Sequence, residues 1–530
     1  MSRFSDMERP ATNVEAAFPS VCASHCKEDD SLNSLRTKWL LLSVSTLAFI
    51  FSLSAQAAKN SGAGQAASPT RSIRGWTHCD GKTDDNAGVV SALAEAKNNA
   101  FTLVVDCPVF IHVGTDVRRP IYFEDGTTVQ FTGAGLFKVD NVQIPAFVLV
   151  NTSKVRLLGW RVQFVGQLPV EQHINYTENG VPGPVPKMPS TTFTDGALTQ
   201  WVTAHRGIHF VQTRAPWPGC TDTSAIFLLM GSTRDVEFRD MKLFVAPDAK
   251  GSHFIPMGFA SIAGGNSNAS IAHQLPDDSG NFSVPSNITF SDIDLDGYYM
   301  GWQGSFQNTV FEHIRAHRYG DLQDDQGGNV GGVGKWFAPP HLFYLNYDPK
   351  SQVKNRQIRI LDVIDYGNRV GVARDRGGSD PGSGFINSLK IGAIDSEVDG
   401  YKSYRPDGLL DLLTSTNLKI SNVDATYDSS FLNNIYPAVR FPQAPYDQVT
   451  LENITLVDKA AATRQTPIWG TYNASNTQIT NVKVTINQLA QAATNGPKAY
   501  VGLCPPWKGS NNKVDIQYIV SGAKYVQKCN

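Results

Sequence analysis

The sequence predicts an all-β protein, a right-handed parallel β-helix with a helix near its N-terminal end. Three observations predict it. First, the segments SNITFSDIDL, NTVFEHIRAH, RQIRILDVID, NSLKIGAIDS, TNLKISNVDA, DQVTLENITL and NTQITNVKVT share one pattern, alternating hydrophobics, a polar residue, then a second hydrophobic pair. Two-residue alternation means strands, and a unit of roughly two to three dozen residues built of strands and turns cannot bury its apolar face except against copies of itself. Second, the residue before each anchoring hydrophobic is Asp240, Asp292, His313, Asp362, Asn422, Asn453 or Asn481, types that tolerate a left-handed bend. Third, the short apolar runs AIFLLMG, YYMGWQG, HLFYLNY, GLLDLL, AVRF and PIWGTY lie between the copies and supply a further strand, giving about three per coil.

Taken from the start, residues 1–57 read as a leader. Arg36 and Lys38 precede an apolar stretch from Trp39 to Leu53, and Ala55 and Ala57 follow at the spacing of a secretory cleavage site. The expectation is a secreted or periplasmic protein, with contact to a membrane only if the leader stays uncleaved. Residues 58–72 form a linker, 73–140 the N-terminal cap and first coils, 141–487 the β-helix with long excursions, and 488–530 a C-terminal cap.

In the cap, Thr83 has the chemistry of a helix N-cap, which would put Asp84 and Asp85 in the first turn at the positive end of the helix dipole. Val89, Leu93 and Ala96 then share one face. Without Cys22 and Cys26 of the leader, five cysteines remain. Cys79 and Cys107 bracket the helix and Cys504 and Cys529 bracket the last segment, so two short-range bridges are expected, leaving Cys220 over.

The anchors run Met241, Ile293, Ile314, Val363, Ile394, Val423, Ile454 and Val482, after an earlier copy at Trp160. The stretches 166–222 and 246–284 lack alternation, are rich in Gly, Pro and Ser, and are expected to leave the coil as loops.

The opening DGKTDDNAGVVSALAEA, followed by TLVVDCPVFIHV and GTTVQFTGAG, resembles the start of the pectate-lyase-superfamily β-helix domain, found in polysaccharide lyases, glycoside hydrolases, sugar epimerases and phage tailspikes. The resemblance covers about 60 residues specifically and extends through the coil repeat to about residue 487. It implies a helix capping the solenoid, a structural acidic pair and a carbohydrate ligand. It leaves the reaction open, because function resides in the site.

Lys plus Arg (46) nearly balances Asp plus Glu (48), so there is no basic excess to attract nucleic acid. Phosphate-loop, serine-esterase and dinucleotide motifs are missing. Ionisable residues gather in 317–329, 365–380 and 398–408, each following the same part of its coil, so that stacking sets the three side by side. The catalytic candidates are Asp321, Asp324, Asp325 and Asp375. The substrate-binding candidates are Trp302, Tyr319, Trp336, Arg374, Arg376, Lys402, Tyr404, Arg405 and Asp407. Paired carboxylates suit hydrolysis of a glycosidic bond, which needs no cofactor. The alternative is β-elimination, in which His313, His317, Tyr319, Arg376, Lys402 or Tyr404 would serve beside a uronate and Ca²⁺ enters as a cofactor. His205, Arg206 and His209, in the first long excursion, have no spacing that demands a metal. The expected partner is a polysaccharide, probed as acidic by the arginines, and a non-catalytic polysaccharide-binding or surface β-helix is the third reading.

Overall fold

The computed structural model describes residues 68–113, 120–140, 145–166, 176–178, 181–183, 225–246, 257–262, 284–298, 300–317, 341–345, 355–366, 388–404, 409–427, 439–441, 445–458, 468–469, 474–486, 510–520 and 523–529. The leader, Cys220 and Cys504 lie outside them, as does the side chain of Cys529.

The chain winds as a right-handed parallel β-helix. In each coil a short strand is followed by a long one that carries a bend. Trp302–Gly304 and then Gln307–His317 are one such pair, followed by Phe343–Leu345 and Asn355–Asp365. The short strands stack into a ten-stranded sheet, and the long ones pair in parallel with the same partners above and below. All six short apolar runs form strands of the first sheet, from Ala225–Met230 to Ile468–Trp469. The excursion expected over 246–284 contains a further one, Met257–Ile262. Within 166–222, Tyr176–Glu178 pairs antiparallel with Val181–Gly183. At the other end, Lys513–Val520 adds one more parallel strand beyond residue 487, and Ala523–Cys529 pairs antiparallel against it.

The bend in each long strand is where the polar residue was expected to sit. Asp240, Asp292, His313, Asp362, Asn422, Asn453 and Asn481 all have φ between 48° and 56°. Asn and Asp reach this left-handed region at lower cost than other side chains. Stacking then ties them into a ladder, with Asn481 Nδ2 donating to Asn453 Oδ1 (2.6 Å) and Asn453 Nδ2 to Asn422 Oδ1 (3.2 Å). One repeat is in a different register from the one expected. Val363 and Val423 both align with Tyr401, so Tyr401 is the anchor of that coil and Ile394 is not. The bend residue there is Gly400 (φ 68°), which needs no polar side chain to adopt this conformation and so escapes a search for Asn and Asp.

The interior is filled by side chains stacked along the helix axis. Phe147, Phe227, Phe259, Trp302 and Phe343 form one file, with successive ring centroids 5.1, 5.2, 5.2 and 4.9 Å apart. Phe238, Phe290 and Phe311 form a second, at 4.8 and 5.0 Å. These spacings follow the separation of hydrogen-bonded strands, about 4.8 Å, so identical registers place rings face to face.

The N-terminal helix, α1 (Asn86–Asn98), buries Val89, Ala92, Leu93 and Ala96 over the open end of the solenoid. It starts later than expected. Asp80 accepts hydrogen bonds from the Lys82 and Thr83 backbone N–H groups (both 2.8 Å) and from the Thr83 hydroxyl (2.7 Å), which occupies Thr83 in the preceding turn. Asp85 is therefore the N-cap residue, and the first turn holds no acidic side chain. Asp84 accepts from the N–H groups of Asn86 and His112, both at 3.1 Å, and Asp85 from His78. These carboxylates hold the cap to the first coil. The expected Cys79–Cys107 disulfide joins the same two elements.

Candidate functional site

A short strand of three residues points its outer two side chains inward and its middle one outward. In WQG, FYL, LKI and LDL the middle residues are Gln303, Tyr344, Lys390 and Asp411, and the parallel register sets them in one row across four consecutive coils. Arg440 continues the row at the next register position. Toward the N-terminus the same row is Val148, Leu228 and Ala260. The outward face of this sheet thus changes from apolar to polar at Gln303.

This polar row is buried at Gln303 and Asp411 and part-buried at Tyr344 and Lys390. Asp411 is 1% exposed and Gln303 4%, values that surface positions on a solvated sheet do not show. Burying such groups is unfavourable unless they find partners, and the row supplies some. Lys390 Nζ donates to the Tyr344 hydroxyl at 3.3 Å and lies 4.3 Å from the centre of its ring. His341, also buried, packs on Tyr344 with ring centroids 5.2 Å apart.

A second feature lies where the long strands end. His317, Tyr366 and Tyr404 are successive in register, with His317–Tyr366 stacked at 4.4 Å and Tyr366–Tyr404 at 5.9 Å. Tyr366 is 43% and Tyr404 48% exposed, which leaves an aromatic ridge on the outside. Asp294 lies beside it, 3.7 Å from His317 Nε2. The connections 318–340 and 367–387 each begin at this ridge and end at the row, at His341 and just before Ser388. They carry most of two of the three ionisable runs, 317–329 and 365–380.

Between ridge and row, inside the solenoid, Asp365 is fully buried. The Ser388 hydroxyl donates to its Oδ2. With its only proton so used, Ser388 Oγ accepts from the Tyr401 hydroxyl, 2.5 Å away. This network joins the residue before Tyr366 to a residue two before Lys390.

Of the residues expected from sequence, Tyr404 belongs to the ridge, and Lys402 is exposed on the outward face of its strand. Trp302 is a correction. It is fully buried and stacked between Phe259 and Phe343, so it fills the core and offers no face to a sugar. The run YYMGWQG has no alternation from which to read its phase, and Gln303 is the outward residue. Asp321, Asp324, Asp325, Asp375, Tyr319, Trp336, Arg374, Arg376, Arg405 and Asp407 lie outside the described residues. Sequence reasoning missed Gln303, Tyr344, Lys390 and Asp411. The available signal was the polar middle residue of each short apolar triplet.

No family model matches the chain, and no curated protein matches it in sequence. Several solved structures resemble it. A family 28 exopolygalacturonase of Yersinia enterocolitica is 12% identical, with 86% of this chain and 79% of that chain covered and a TM-score of 0.36. PfbA, a surface adhesin of Streptococcus pneumoniae, is 10% identical over 85% of this chain and 90% of that one, with a TM-score of 0.35. ORF18 of Geobacillus virus E2 is 8% identical over 86% of this chain, with a TM-score of 0.32, and the chain spans only 63% of its length. At these identities and scores the likenesses carry no argument about chemistry, and the fold rests on the strand pairing described above.

Proposed function

We propose that this protein is a carbohydrate-active enzyme that cleaves glycosidic bonds in an acidic polysaccharide, with the row Gln303–Tyr344–Lys390–Asp411 as the floor of its site. The observation that carries the reading is the switch of that row from Val148, Leu228 and Ala260 to polar and charged groups, Gln303 and Asp411 buried and Tyr344 and Lys390 part-buried. The switch falls on the coils whose connections bring in the ionisable runs. A row of that chemistry sets hydrogen-bonding and charged groups in line, as a polysaccharide ligand requires. Export through the leader fits a polysaccharide partner and a disulfide in the cap.

Hydrolysis is the first reading. Asp411 would act with a carboxylate from Asp321, Asp324, Asp325 or Asp375, one protonating the leaving oxygen and the other acting on water or the sugar. The Tyr344–Lys390 contact favours a second reading, β-elimination. There Tyr344, acting as phenolate beside the Lys390 ammonium, takes the proton next to a uronate carboxylate, the hydroxyl so formed returns that proton to the leaving glycosidic oxygen as the C–O bond breaks and the double bond forms, and Arg374, Arg376 or Lys402 balances the charge that develops on the uronate.

The test is a panel of acidic and neutral polysaccharides, read for both new reducing ends and the ultraviolet absorbance of unsaturated uronates. Hydrolysis gives the first signal alone, and elimination gives both. Asp411→Asn should lower turnover about 100-fold or more under hydrolysis, and Tyr344→Phe should do so under elimination. Wild-type turnover in Asp411→Asn, Tyr344→Phe and Lys390→Ala alike would remove the site from this row.

A further inference from the structure

Along the bend of the long strands, the corner opens into a recess of about 320 Å³. Its origin is the bend ladder. Later coils place Asp240 and Asp292 at the left-handed position, whereas the coil before Asp240 has Gly159 there (φ 67°). One coil earlier the corner widens into the turn Thr132–Gly135, closed by a 2.9 Å hydrogen bond from Gly135 N to Thr132 O. The missing side chains leave a hollow that runs across four coils.

The walls carry both signs of charge. Arg161 and Lys242 stand against Asp240, Asp292 and Asp294, leaving one net negative charge. The groups are only partly engaged. Arg161 donates to Gly133 O at 3.1 Å, and its guanidinium makes no ion pair among the described residues. Lys242 Nζ is 3.7 Å from Asp294, beyond hydrogen-bond range, and Asp240 has no ion-pair or hydrogen-bond partner among the described residues. Asp294 Oδ1 is a buried atom without a hydrogen bond, with His317 Nε2 3.7 Å away.

Each feature limits the ligand. The net charge and the three carboxylates disfavour a simple anion or a uronate. Among the described residues, no group of carboxylates and histidines is gathered closely enough to hold a metal ion. Four coils span about 14 Å, longer than an amino acid and suited to two or three linked sugar rings. Carboxylates accepting from hydroxyls, with Arg and Lys donating to hydroxyl and ring oxygens, are the complement of an uncharged, hydroxyl-rich chain.

We infer that this recess is a second saccharide-binding site, selective for a neutral oligosaccharide, separate from the cleavage site. The inference does not need the cleavage reading, since binding here would persist in a non-catalytic protein.

The experiment is calorimetric titration of the full chain with neutral oligosaccharides (gluco-, xylo-, manno- and galacto-configured), a uronate oligosaccharide and glycine as a zwitterion. A neutral oligosaccharide should bind, and Asp240→Asn and Lys242→Gln should each weaken it about ten-fold or more. Lys390→Ala should leave that affinity unchanged while affecting cleavage, which separates this site from the row. Both recess positions are exposed, and Asn keeps the left-handed preference at 240, so folded variants are expected; Lys242→Gln alone suffices if Asp240→Asn does not fold. Binding of only the uronate or glycine, no binding of any neutral oligosaccharide, or wild-type affinity in both recess variants would overturn the inference.

Discussion

Asp365 accepts a hydrogen bond from Ser388 in the interior of the solenoid, at a position where neighbouring coils hold Leu295, Ala316, Ser403 and Ala425. Ser388, itself bonded by Tyr401, is one of the groups that satisfy this buried side chain. Ser388→Ala should therefore cost about 1–3 kcal/mol, since it takes a donor away from a buried acceptor. Replacing Asp365, Ser388 and Tyr401 together by Leu, Ala and Phe should cost less than Ser388→Ala alone. Midpoints of chemical denaturation check this, and simple additivity of the single losses would refute the network.

The bend ladder separates two contributions at one residue. Asn453 needs a left-handed backbone (φ 54°) and also both donates and accepts along the ladder. Asn453→Gly keeps the backbone and loses the bonds, whereas Asn453→Ala loses both. The alanine variant should be less stable than the glycine variant by about 1 kcal/mol. Equal stability would mean that the ladder bonds, not the bend, select Asn.

The ladder also shows what the sequence made legible. Asn and Asp at one register revealed the coil, because the same steric demand recurs at every turn. Where glycine meets that demand, at Gly400, the register was misplaced onto Ile394. The cap helix was visible from Val89, Leu93 and Ala96, yet its start was not, because Asp80 competes for Thr83 through a local turn that propensity does not encode. The site was only partly legible. Charged runs drew attention to the connections, while Lys390 and Asp411 sit inside apolar triplets where a single polar residue looks like an ordinary strand position. Asp365 was hidden for the opposite reason, as one more acid beside an acidic loop.

In the cap, two exposed groups titrate in opposite senses. Hydrogen bonds from Thr83 and Lys82 hold the Asp80 carboxyl down to about 2 from 3.8, and the hydrogen bond and charge of Asp85 hold His78 above 6.5. The stabilisation from Asp80 is present above its unfolded value and lost as the pH falls toward 2. That from His78 is present below 6.5 and lost as the pH rises through its raised value. Protection factors of the α1 amides should be greatest between about pH 4 and 6.5. Asp80→Asn should flatten the acid side and His78→Gln the alkaline side.

Reduction of the disulfide should act on the same region. Cys79 and Cys107 are 28 residues apart, for which loop closure in the unfolded chain corresponds to about 3–4 kcal/mol. A Cys79→Ser, Cys107→Ser variant should unfold at lower denaturant and lose protection first in α1. Uniform loss along the whole solenoid would show that the bridge supports more than the cap.

The aromatic ridge separates binding from stability. Tyr366 stacks on both His317 and Tyr404, but the two tyrosines remain largely exposed, so truncating either removes little buried area. Tyr404→Ala should change stability by less than about 0.5 kcal/mol. Its outer face has Thr426 as its neighbour in the next coil, a small side chain that leaves room for a sugar ring. Stacking of that kind should make affinity for a cleaved polysaccharide about two- to ten-fold weaker in Tyr404→Ala, with Tyr404→Phe retaining most of it. A rise in KM with turnover at saturation unchanged would place the ridge in substrate capture; a fall in turnover alone would place Tyr404 among the groups that act on the bond.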